Sequence, residues 1–263
     1  MVELPGFLKS LRGRGKVGLA LGGGAVLGAA HIGVLQAMEE LDVQIDYVAG
    51  TSIGAFVGAL VAFGKNAREI SETLSGLNWF KAADLSLSRY GLLSNQKLAD
   101  TLTGIIGDVD FKDAGIPLAV VATDISTGEK VVLNSGSVAK AVRASASIPG
   151  IFRPVEIDGK LLVDGGIIEN VPVATVKEMG PEKVIAVNLM TDLRKPANIV
   201  DVLINVMHFS IIQNVKRQTS EADILLDLNL TDFNRVDTDQ VPDLIEQGYR
   251  QGKTILEKAK LGR

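Results

Sequence analysis

The sequence predicts an α/β fold with three layers, α/β/α, around a mainly parallel central sheet. Short apolar runs of strand length alternate along the chain with segments whose apolar residues recur at helical spacing. This alternation is typical of parallel sheets covered by helices on both faces. With 263 residues and 46% hydrophobic content, the chain can bury one sizeable core, so we expect a single domain over residues 1–263.

The apolar runs give the order of the elements. Strands are expected at 16–21, 47–50, 117–123, 130–133, 152–157, 160–163, 184–189 and 224–228. Helices are expected at 28–41, 53–63, onward from 66, at 197–219 and from about 242 to 258. Asp158-Gly159 is the strongest hairpin signal, and Asn66 with Glu69 has the pattern of a capping box. The segment 53–63 is apolar nearly all round, which predicts a deeply buried helix.

A G-x-S-x-G pentapeptide, Gly50–Gly54, joins the second strand to this apolar helix. Such a turn is sharp and exposes the serine hydroxyl, so Ser52 is a candidate nucleophile. We expect glycines there because large side chains would clash and because the turn favours positive φ. Serine needs a base within hydrogen-bond distance, and with only His31 and His208 in the chain a carboxylate is a candidate for that base. The alternative is a tight turn in which the serine only caps the helix.

Asp164-Gly165-Gly166 follows a predicted strand. By itself the tripeptide is typical of a turn. It becomes a candidate base because strands of an open parallel sheet bring side chains from distant parts of the sequence to one edge. A carboxylate with an ordinary pKa is a weak base, so Asp164 would need a partly desolvated pocket.

Three successive glycines, Gly22–Gly24, separate the first strand from the first helix. Backbone N–H groups at such a position suit an oxyanion or a phosphate. The spacing also admits a dinucleotide site, but that site needs an acidic residue at the end of the second strand. Asp46 precedes that strand, and the Gly50–Gly54 turn occupies its end.

Five blocks of sequence stand in the order seen in patatin-like phospholipases. They are Leu21–Gly24, Gly28–Leu35, Gly50–Gly54, Ala144–Pro149 and Asp164–Gly166. The chain resembles the compact single-domain bacterial members over roughly residues 16–230. The resemblance implies a serine lipid acyl hydrolase that acts on a lipid ester, with Ser52 and Asp164 as a catalytic dyad. It also implies an oxyanion hole formed by the backbone amides of Gly22, Gly23 and Gly24.

One position departs from the family pattern. Leu27 stands where family members usually carry a basic residue, which weakens any contribution of this position to binding a phosphate or another anionic head group. The block around Arg143 and Ser145 is expected to end a helix beside the site, with Pro149 as the residue that stops the helix.

The composition argues against several other classes of function. The absence of cysteine excludes disulfides and thiolate chemistry and fits a reducing cytosol, and two distant histidines argue against a zinc site. Residues 108–113 resemble a calcium loop, but Lys112 occupies a ligand position and no glutamate closes the loop. A net charge of −4 argues against a nucleic-acid partner. We therefore expect no metal, no organic cofactor and no nucleic acid.

Residues 1–15 read as a flexible basic arm. The apolar run that follows imitates a signal peptide, but its three glycines disfavour a helix, and cleavage after it would remove the glycine loop. We expect a soluble, cytoplasmic protein. Leucines and Phe7 interleaved with cations could hold the arm weakly on a membrane surface, although a solubilising arm is the simpler interpretation. The apolar stretch 78–93 is a second candidate for that contact and could cover the active site.

Two alternatives remain open at this point. Ser52, Asp164 and His208 follow the chain order of an α/β-hydrolase triad, although His208 lies within an apolar helical segment and not in a loop. The other alternative is a lipid- or nucleotide-binding module with an inert serine. His31, between Ala30 and Ile32, is expected to be partly buried with a packing role.

Overall fold

The computed structural model describes residues 15–75, 84–88, 91–189, 196 and 199–259. The strands are β1 (Val17–Leu21), β2 (Tyr47–Thr51), β3 (Asp84–Ser88), β4 (Gly91–Ser94), β5 (Leu118–Asp124), β6 (Lys130–Leu133), β7 (Val155–Ile157), β8 (Lys160–Asp164), β9 (Lys183–Asn188) and β10 (Ile224–Asp227). The helices are α1 (Ala29–Glu40), α2 (Ile53–Ala62), α3 (Ala67–Ser75), α4 (Gln96–Ile106), α5 (Val138–Ser145), α6 (Gly166–Glu169), α7 (Val173–Glu178), α8 (Ile199–Thr219) and α9 (Val241–Lys258).

Eight strands form the central sheet in the order β10-β9-β1-β2-β5-β8-β7, with β6 also paired to β5. The pairs from β10 to β5 are all parallel. Beyond β5 the sheet turns antiparallel, because β6 and β8 both run against β5 and β7 runs against β8. The sheet is therefore mainly parallel, as predicted, with an antiparallel margin. β3 and β4 form a separate two-stranded sheet.

The strands bury different side chains on their two faces. One face presents large residues such as Leu19 and Val48, which belong to the same apolar cluster as α1, α2 and α9. The other presents alanines such as Ala20 and Ala186, which pack with residues of α7 and α8. Side chains alternate between the faces of a strand, so a run that is apolar throughout is buried on both sides. The predicted three layers are confirmed.

Several local predictions agree with the structure. The hairpin at Asp158 and Gly159 joins β7 to β8, and both residues have positive φ. Asn66 and Glu69 exchange backbone and side-chain hydrogen bonds of 2.9 Å, as a capping box does. Helix α2 is buried along nearly its whole length. None of the described helices combines the length and apolar character that crossing a bilayer requires.

Other local predictions need correction. The strand expected at 152–157 begins only at Val155. Pro149 does not stop α5 directly, because that helix already ends at Ser145. The first helix begins one residue later than expected, after a 3-10 turn over Ala25–Gly28. Residues 1–14 of the predicted arm lie outside the described residues, as do residues 78–83 and 89–90 of the stretch 78–93. The expected roles of both segments therefore stay predictions.

Candidate active site

The register of the sheet brings the candidate nucleophile and base together. Thr51 of β2 pairs with Val121 of β5, and the next residue of β5, Ala122, pairs with Asp164 of β8. Ser52 follows Thr51 directly and therefore lies close to Asp164 across β5. The sequence suggested that Asp164 reaches the site because parallel strands end at the same edge of the sheet. In the structure β8 is antiparallel to β5, so Asp164 reaches the site through its pairing with Ala122.

Ser52 occupies a strained turn between β2 and α2. Its φ is 54° and its ψ −122°, a region that side-chain-bearing residues rarely adopt. A Cβ on Gly50 would come within 2.3 Å of the Gly54 carbonyl oxygen, and one on Gly54 within 2.2 Å of the Leu21 carbonyl oxygen. The glycines are therefore required by close approach, as expected. The positive φ falls on the serine itself, whereas the sequence suggested the glycines.

Ser145 supports the turn from behind. Its hydroxyl accepts a hydrogen bond of 2.8 Å from the Ser52 N–H and donates one of 2.6 Å to the Val121 carbonyl. The serine at the end of α5 thus links the turn to the neighbouring strand. The sequence indicates that this block lies beside the site, but the contact with Ser52 is not evident from it.

Asp164 is 1% exposed. Its Oδ1 accepts a hydrogen bond of 2.8 Å from the Gly166 N–H, while its own N–H donates to the Ser147 carbonyl at 2.9 Å. Burial raises the pKa of the carboxyl to about 6, against the opposing effects of the Gly166 amide and the Ser52 side chain. This is the desolvated environment that a carboxylate base requires.

The second carboxylate oxygen, Oδ2, is buried and has no hydrogen-bond partner among the described residues. The Ser52 side chain is near enough to lower the pKa of Asp164, but the hydroxyl does not close a hydrogen bond onto Oδ2. Hydrogen bonds between catalytic groups often tighten only when substrate is bound. Asp164 thus keeps one acceptor position available.

The glycine loop differs from the expected oxyanion hole in one important respect. The Gly22 N–H donates to the Val187 carbonyl at 3.1 Å, and the Gly23 N–H donates to the Asn170 carbonyl at 3.2 Å. Both amides are therefore occupied within the protein. Among the described residues, the Gly24 N–H makes no hydrogen bond. Of the three expected donors, only Gly24 has its amide available in this structure.

His31 holds the loop from the inside. Its Nε2 donates a hydrogen bond of 2.8 Å to the Gly22 carbonyl, and the ring is fully buried. Burial lowers the pKa of His31 to about 4, so the ring is neutral at physiological pH. The expectation of partial burial was wrong, but a role in positioning the backbone fits the expected packing role.

A small cavity of about 40 Å³ opens beside the serine hydroxyl. Its lining includes Gly24, Ser52, Asp164, Asn170, His208 and Arg235. A space of this size holds at least one water molecule. Asn170 and Arg235 were absent from the sequence prediction, and only the tertiary fold brings them to the serine.

His208 is 2% exposed and lies in this lining, on helix α8. Its Nε2 accepts a hydrogen bond of 3.2 Å from Arg235 Nη2. A triad histidine uses its Nε2 to take the serine proton, and a ring that gained a proton here would face the guanidinium charge. The geometry therefore favours Asp164 over His208 as the base.

Leu27, the residue that departs from the family pattern, is fully buried in the core and makes no contribution to the cavity lining. A cation near the serine comes instead from Arg235, whose backbone carbonyl accepts a hydrogen bond of 3.1 Å from the Val26 N–H. Within the described residues, no group of three or more histidine, cysteine or acidic side chains could hold a metal ion.

Fold and site define a class of proteins in which a glycine loop, a strand-to-helix serine and a buried aspartate share one edge of an α/β/α sandwich. The model of the family described as patatin-like phospholipase matches residues 19–177. The chain belongs to this family.

Relatives similar in sequence agree with that assignment. An uncharacterized NTE family protein of Mycobacterium tuberculosis is 38% identical over 194 residues, which cover 72% of this chain and 54% of the relative. The lysophospholipase nte1 of Emericella nidulans is 34% identical over 181 residues, 66% of this chain and 12% of the relative. The chain thus spans about half or less of the length of these relatives.

The structure of VipD from Legionella pneumophila superimposes with a TM-score of 0.66 at 15% identity and covers 94% of this chain and 67% of its own. The type III effector ExoU gives a TM-score of 0.51 at 17% identity and covers 94% of this chain and 54% of its own. At these identities the likeness concerns the fold.

Proposed function

We propose that this chain is a serine lipid acyl hydrolase of the phospholipase or lysophospholipase type that uses a Ser52–Asp164 dyad. One observation carries the proposal: a serine in a strained turn lies beside a buried aspartate whose Oδ2 has no partner among the described residues and whose pKa is raised to about 6. Family membership supports a lipid ester as the substrate class, as does the lysophospholipase activity in the name of one relative.

In the first half of the reaction, Ser52 Oγ attacks the acyl carbonyl carbon while its proton passes to Asp164 Oδ2. The carbonyl oxygen becomes an oxyanion, and the Gly24 N–H is positioned to donate to it. When the tetrahedral intermediate collapses, the bond between the acyl carbon and the alcohol oxygen breaks. Asp164 returns its proton to the departing alcohol, which leaves an acyl-serine.

In the second half, water attacks the acyl-serine and gives a proton to Asp164. The bond to Ser52 Oγ then breaks, the carboxylic acid leaves, and the serine recovers the proton from Asp164. One carboxyl group serves both halves because its pKa lies close enough to neutrality for it to accept and release a proton. No step requires a metal or an organic cofactor.

Two alternatives stay in competition. The Ser52–Asp164–His208 triad has its histidine in the cavity lining, but the Arg235 hydrogen bond occupies the nitrogen that would take the proton. A binding module with an inert serine has no use for a backbone strained at Ser52 or for a buried carboxylate with an open acceptor position.

A fluorophosphonate probe followed by peptide mapping tests the proposal. We expect wild-type protein to carry the label on Ser52, because only an activated serine reacts with this class of probe. Asp164→Asn should label far more slowly, and Ser52→Ala should not label at all. Absence of label on Ser52 in folded wild-type protein would favour the binding module. Fast labelling of Asp164→Asn together with loss in His208→Ala would favour the triad.

A further inference from the structure

The amide groups available in the glycine loop leave the oxyanion hole short of donors. Oxyanion holes are built from two or more N–H groups aimed at the position where negative charge develops. The N–H groups of Gly22 and Gly23 already donate to the carbonyls of Val187 and Asn170. Of the three glycines, only Gly24 therefore has an N–H available for an oxyanion. A side chain of the cavity lining that carries an unpartnered donor would therefore supplement the loop.

Asn170 has the required properties. The residue is 2% exposed, it lines the cavity that contains Ser52 and Asp164, and its Nδ2 has no hydrogen-bond partner among the described residues. A buried amide donor without a partner costs free energy. Such a cost is usual at a position where a ligand atom completes the hydrogen bond.

The backbone of Asn170 is fixed from two sides. Its carbonyl accepts the Gly23 N–H at 3.2 Å, and its own N–H donates to Gln218 Oε1 at 3.1 Å. The same Gln218 oxygen accepts the Val171 N–H at 3.2 Å, and Gln218 Nε2 donates to the Ile168 carbonyl at 2.8 Å. Gln218 of α8 therefore clamps the segment that carries Asn170.

The side chain is equally confined. A Cβ on Gly23 would come within 2.8 Å of Asn170 Oδ1, and a Cβ on Gly166 within 3.0 Å of the same atom. The oxygen end of the amide is thus packed beside two glycines, which limits rotation of the side chain. A donor held this rigidly stabilises charge without reorganisation during the reaction.

We propose that Asn170 Nδ2 is the side-chain donor of the oxyanion hole and acts together with the Gly24 backbone amide. The proposal rests on the proposed acyl hydrolase function. It assigns to Asn170 a hydrogen bond that strengthens when the carbonyl oxygen gains charge, so its contribution falls on kcat rather than on KM.

The test compares Asn170→Ala and Asn170→Asp with Gln218→Ala. We expect both Asn170 variants to lose about 100-fold in kcat with little change in KM, because removal of one oxyanion donor has an effect of that size. Their affinity for a trifluoromethyl ketone, which forms an oxyanion adduct with the serine, should fall by a similar factor. Gln218→Ala loosens the clamp, so its main effect should be a lower thermal midpoint. Its loss of kcat should be smaller than that of the Asn170 variants.

Two results would overturn the assignment. One is a folded Asn170→Ala enzyme whose kcat stays within about threefold of wild type. The other is a loss of kcat without a matching loss of ketone affinity, which would indicate a structural role. Failure of the proposed function itself has a different signature, because wild-type Ser52 would then not react with the fluorophosphonate probe.

A different observation carries a second inference, on helix α8. Its buried side contributes His208 and Ile211 to the cavity lining. Its outer side carries five large apolar residues that are each between 40% and 70% exposed. These residues, called here the α8 stripe, are Ile199, Val202, Val206, Phe209 and Ile212. Their spacing places them along one side of the helix.

Single exposed apolar residues are ordinary, but a continuous row of five marks an interaction surface. One turn beyond Ile212 the outer side continues with Lys216 and Arg217, both exposed. Apolar side chains followed by cations are complementary to the surface of an anionic lipid layer, where the apolar residues enter the acyl region and the cations meet the head groups.

We infer that the α8 stripe docks the protein on an anionic lipid surface. The same helix borders the serine cavity, so docking there would place the reacting site next to the lipid. The inference goes beyond the proposed function, and vesicle binding tests it even if the serine proves inert.

The experiment uses sedimentation with vesicles of phosphatidylcholine and phosphatidylglycerol. The double variant Val206→Ser with Phe209→Ser should lose about fivefold or more in bound fraction, and the ratio of vesicle-lipid to soluble-ester turnover should fall by a similar factor. Ile125→Ser is the matched control, because Ile125 is 47% exposed but follows β5 and lies outside α8. The control should match wild type in both measurements.

Unchanged vesicle binding by the double variant would overturn the docking surface. If wild type is a dimer in light scattering, and the double variant is a monomer with unchanged vesicle binding, the occupant of the stripe is a second copy of the chain.

Discussion

Asp164 and Glu169 are two buried carboxylates five residues apart, and the fold treats them in opposite ways. Asp164 is 1% exposed and Glu169 is 4% exposed. Glu169 accepts hydrogen bonds from Lys130 Nζ at 3.0 Å, from Thr175 Oγ1 at 2.6 Å, and from the backbone amides of Ala174 and Thr175 at 3.0 and 3.2 Å. Asp164 has one backbone donor on Oδ1 and, among the described residues, none on Oδ2.

The comparison shows that burial alone does not identify a functional carboxylate. Glu169 has donors on both oxygens and a nearby cation, so its charge is stabilised and its geometry is fixed. It anchors the start of α7 to β6. Asp164 is desolvated with incomplete compensation, and its pKa is raised to about 6 as a result. The unfilled acceptor position, more than the buried charge, distinguishes the carboxylate that we propose as the base.

The largest expected effect is a difference in ester hydrolysis between variants of Asp164 and variants of Glu169. Asp164→Asn should lower ester hydrolysis by about 10⁴-fold, and Ser52→Ala by at least as much, because the two residues form one proton-transfer unit. The double variant should be no slower than the slower single variant. Glu169→Gln should keep kcat within about threefold of wild type, since it supports structure and not proton transfer. Steady-state kinetics on a soluble ester measures all four, and a fully active, folded Asp164→Asn would refute the dyad.

The reverse order is expected for stability. Glu169→Ala leaves the partly buried Lys130 without its carboxylate and removes four hydrogen bonds, so it should lower the free energy of unfolding by about 3–5 kcal/mol. Asp164→Asn should not destabilise the protein at neutral pH. Denaturant titrations followed by circular dichroism give both values. Equal losses in the two variants would mean that the carboxylates share a structural role.

The raised pKa of Asp164 predicts that the stability difference between Asp164→Asn and wild type depends on pH. Between pH 3.8 and about 6, Asp164 stays protonated in the native state but loses its proton in the unfolded chain. The contribution of Asp164 to the free energy of unfolding of the wild type therefore falls as pH rises through this range. The amide introduced by Asp164→Asn does not titrate. The stability advantage of Asp164→Asn over wild type should therefore grow from pH 4 to 6 and then level at about 2–3 kcal/mol. A difference that does not vary with pH would contradict the raised pKa.

A smaller effect is expected at the cavity wall. His208→Ala should lower kcat by less than about tenfold, because we propose Asp164 as the proton acceptor and His208 Nε2 already accepts a hydrogen bond from Arg235. The same kinetic assay with a thermal melt separates loss of activity from loss of fold. A loss as large as that of Ser52→Ala in a folded variant would establish the triad in place of the dyad.

The smallest expected effect is that of a chelator. Hydrolysis should proceed unchanged in excess EDTA, since the described residues contain no cluster able to hold a metal ion. Loss of activity that calcium restores would contradict this expectation.

Local chemistry determined what the sequence alone could predict. A tight turn selects glycines on both sides of Ser52, and strand and helix periods follow from which face is buried, so the elbow, the α/β layers and the candidate pair Ser52 and Asp164 were predictable. Asp164 was found through its Asp-Gly-Gly motif, although the motif does not show that β8 runs antiparallel to β5.

Only the tertiary structure decided which groups remain available for chemistry. Whether the Gly22 and Gly23 amides could serve an oxyanion depended on Val187 and Asn170, residues far along the chain that accept their hydrogen bonds. The open donor of Asn170 likewise has no local signal, because a partner that is missing cannot be read from sequence neighbours. Hydrogen-bond saturation is a property of the assembled fold, and it distinguishes Asp164 from Glu169.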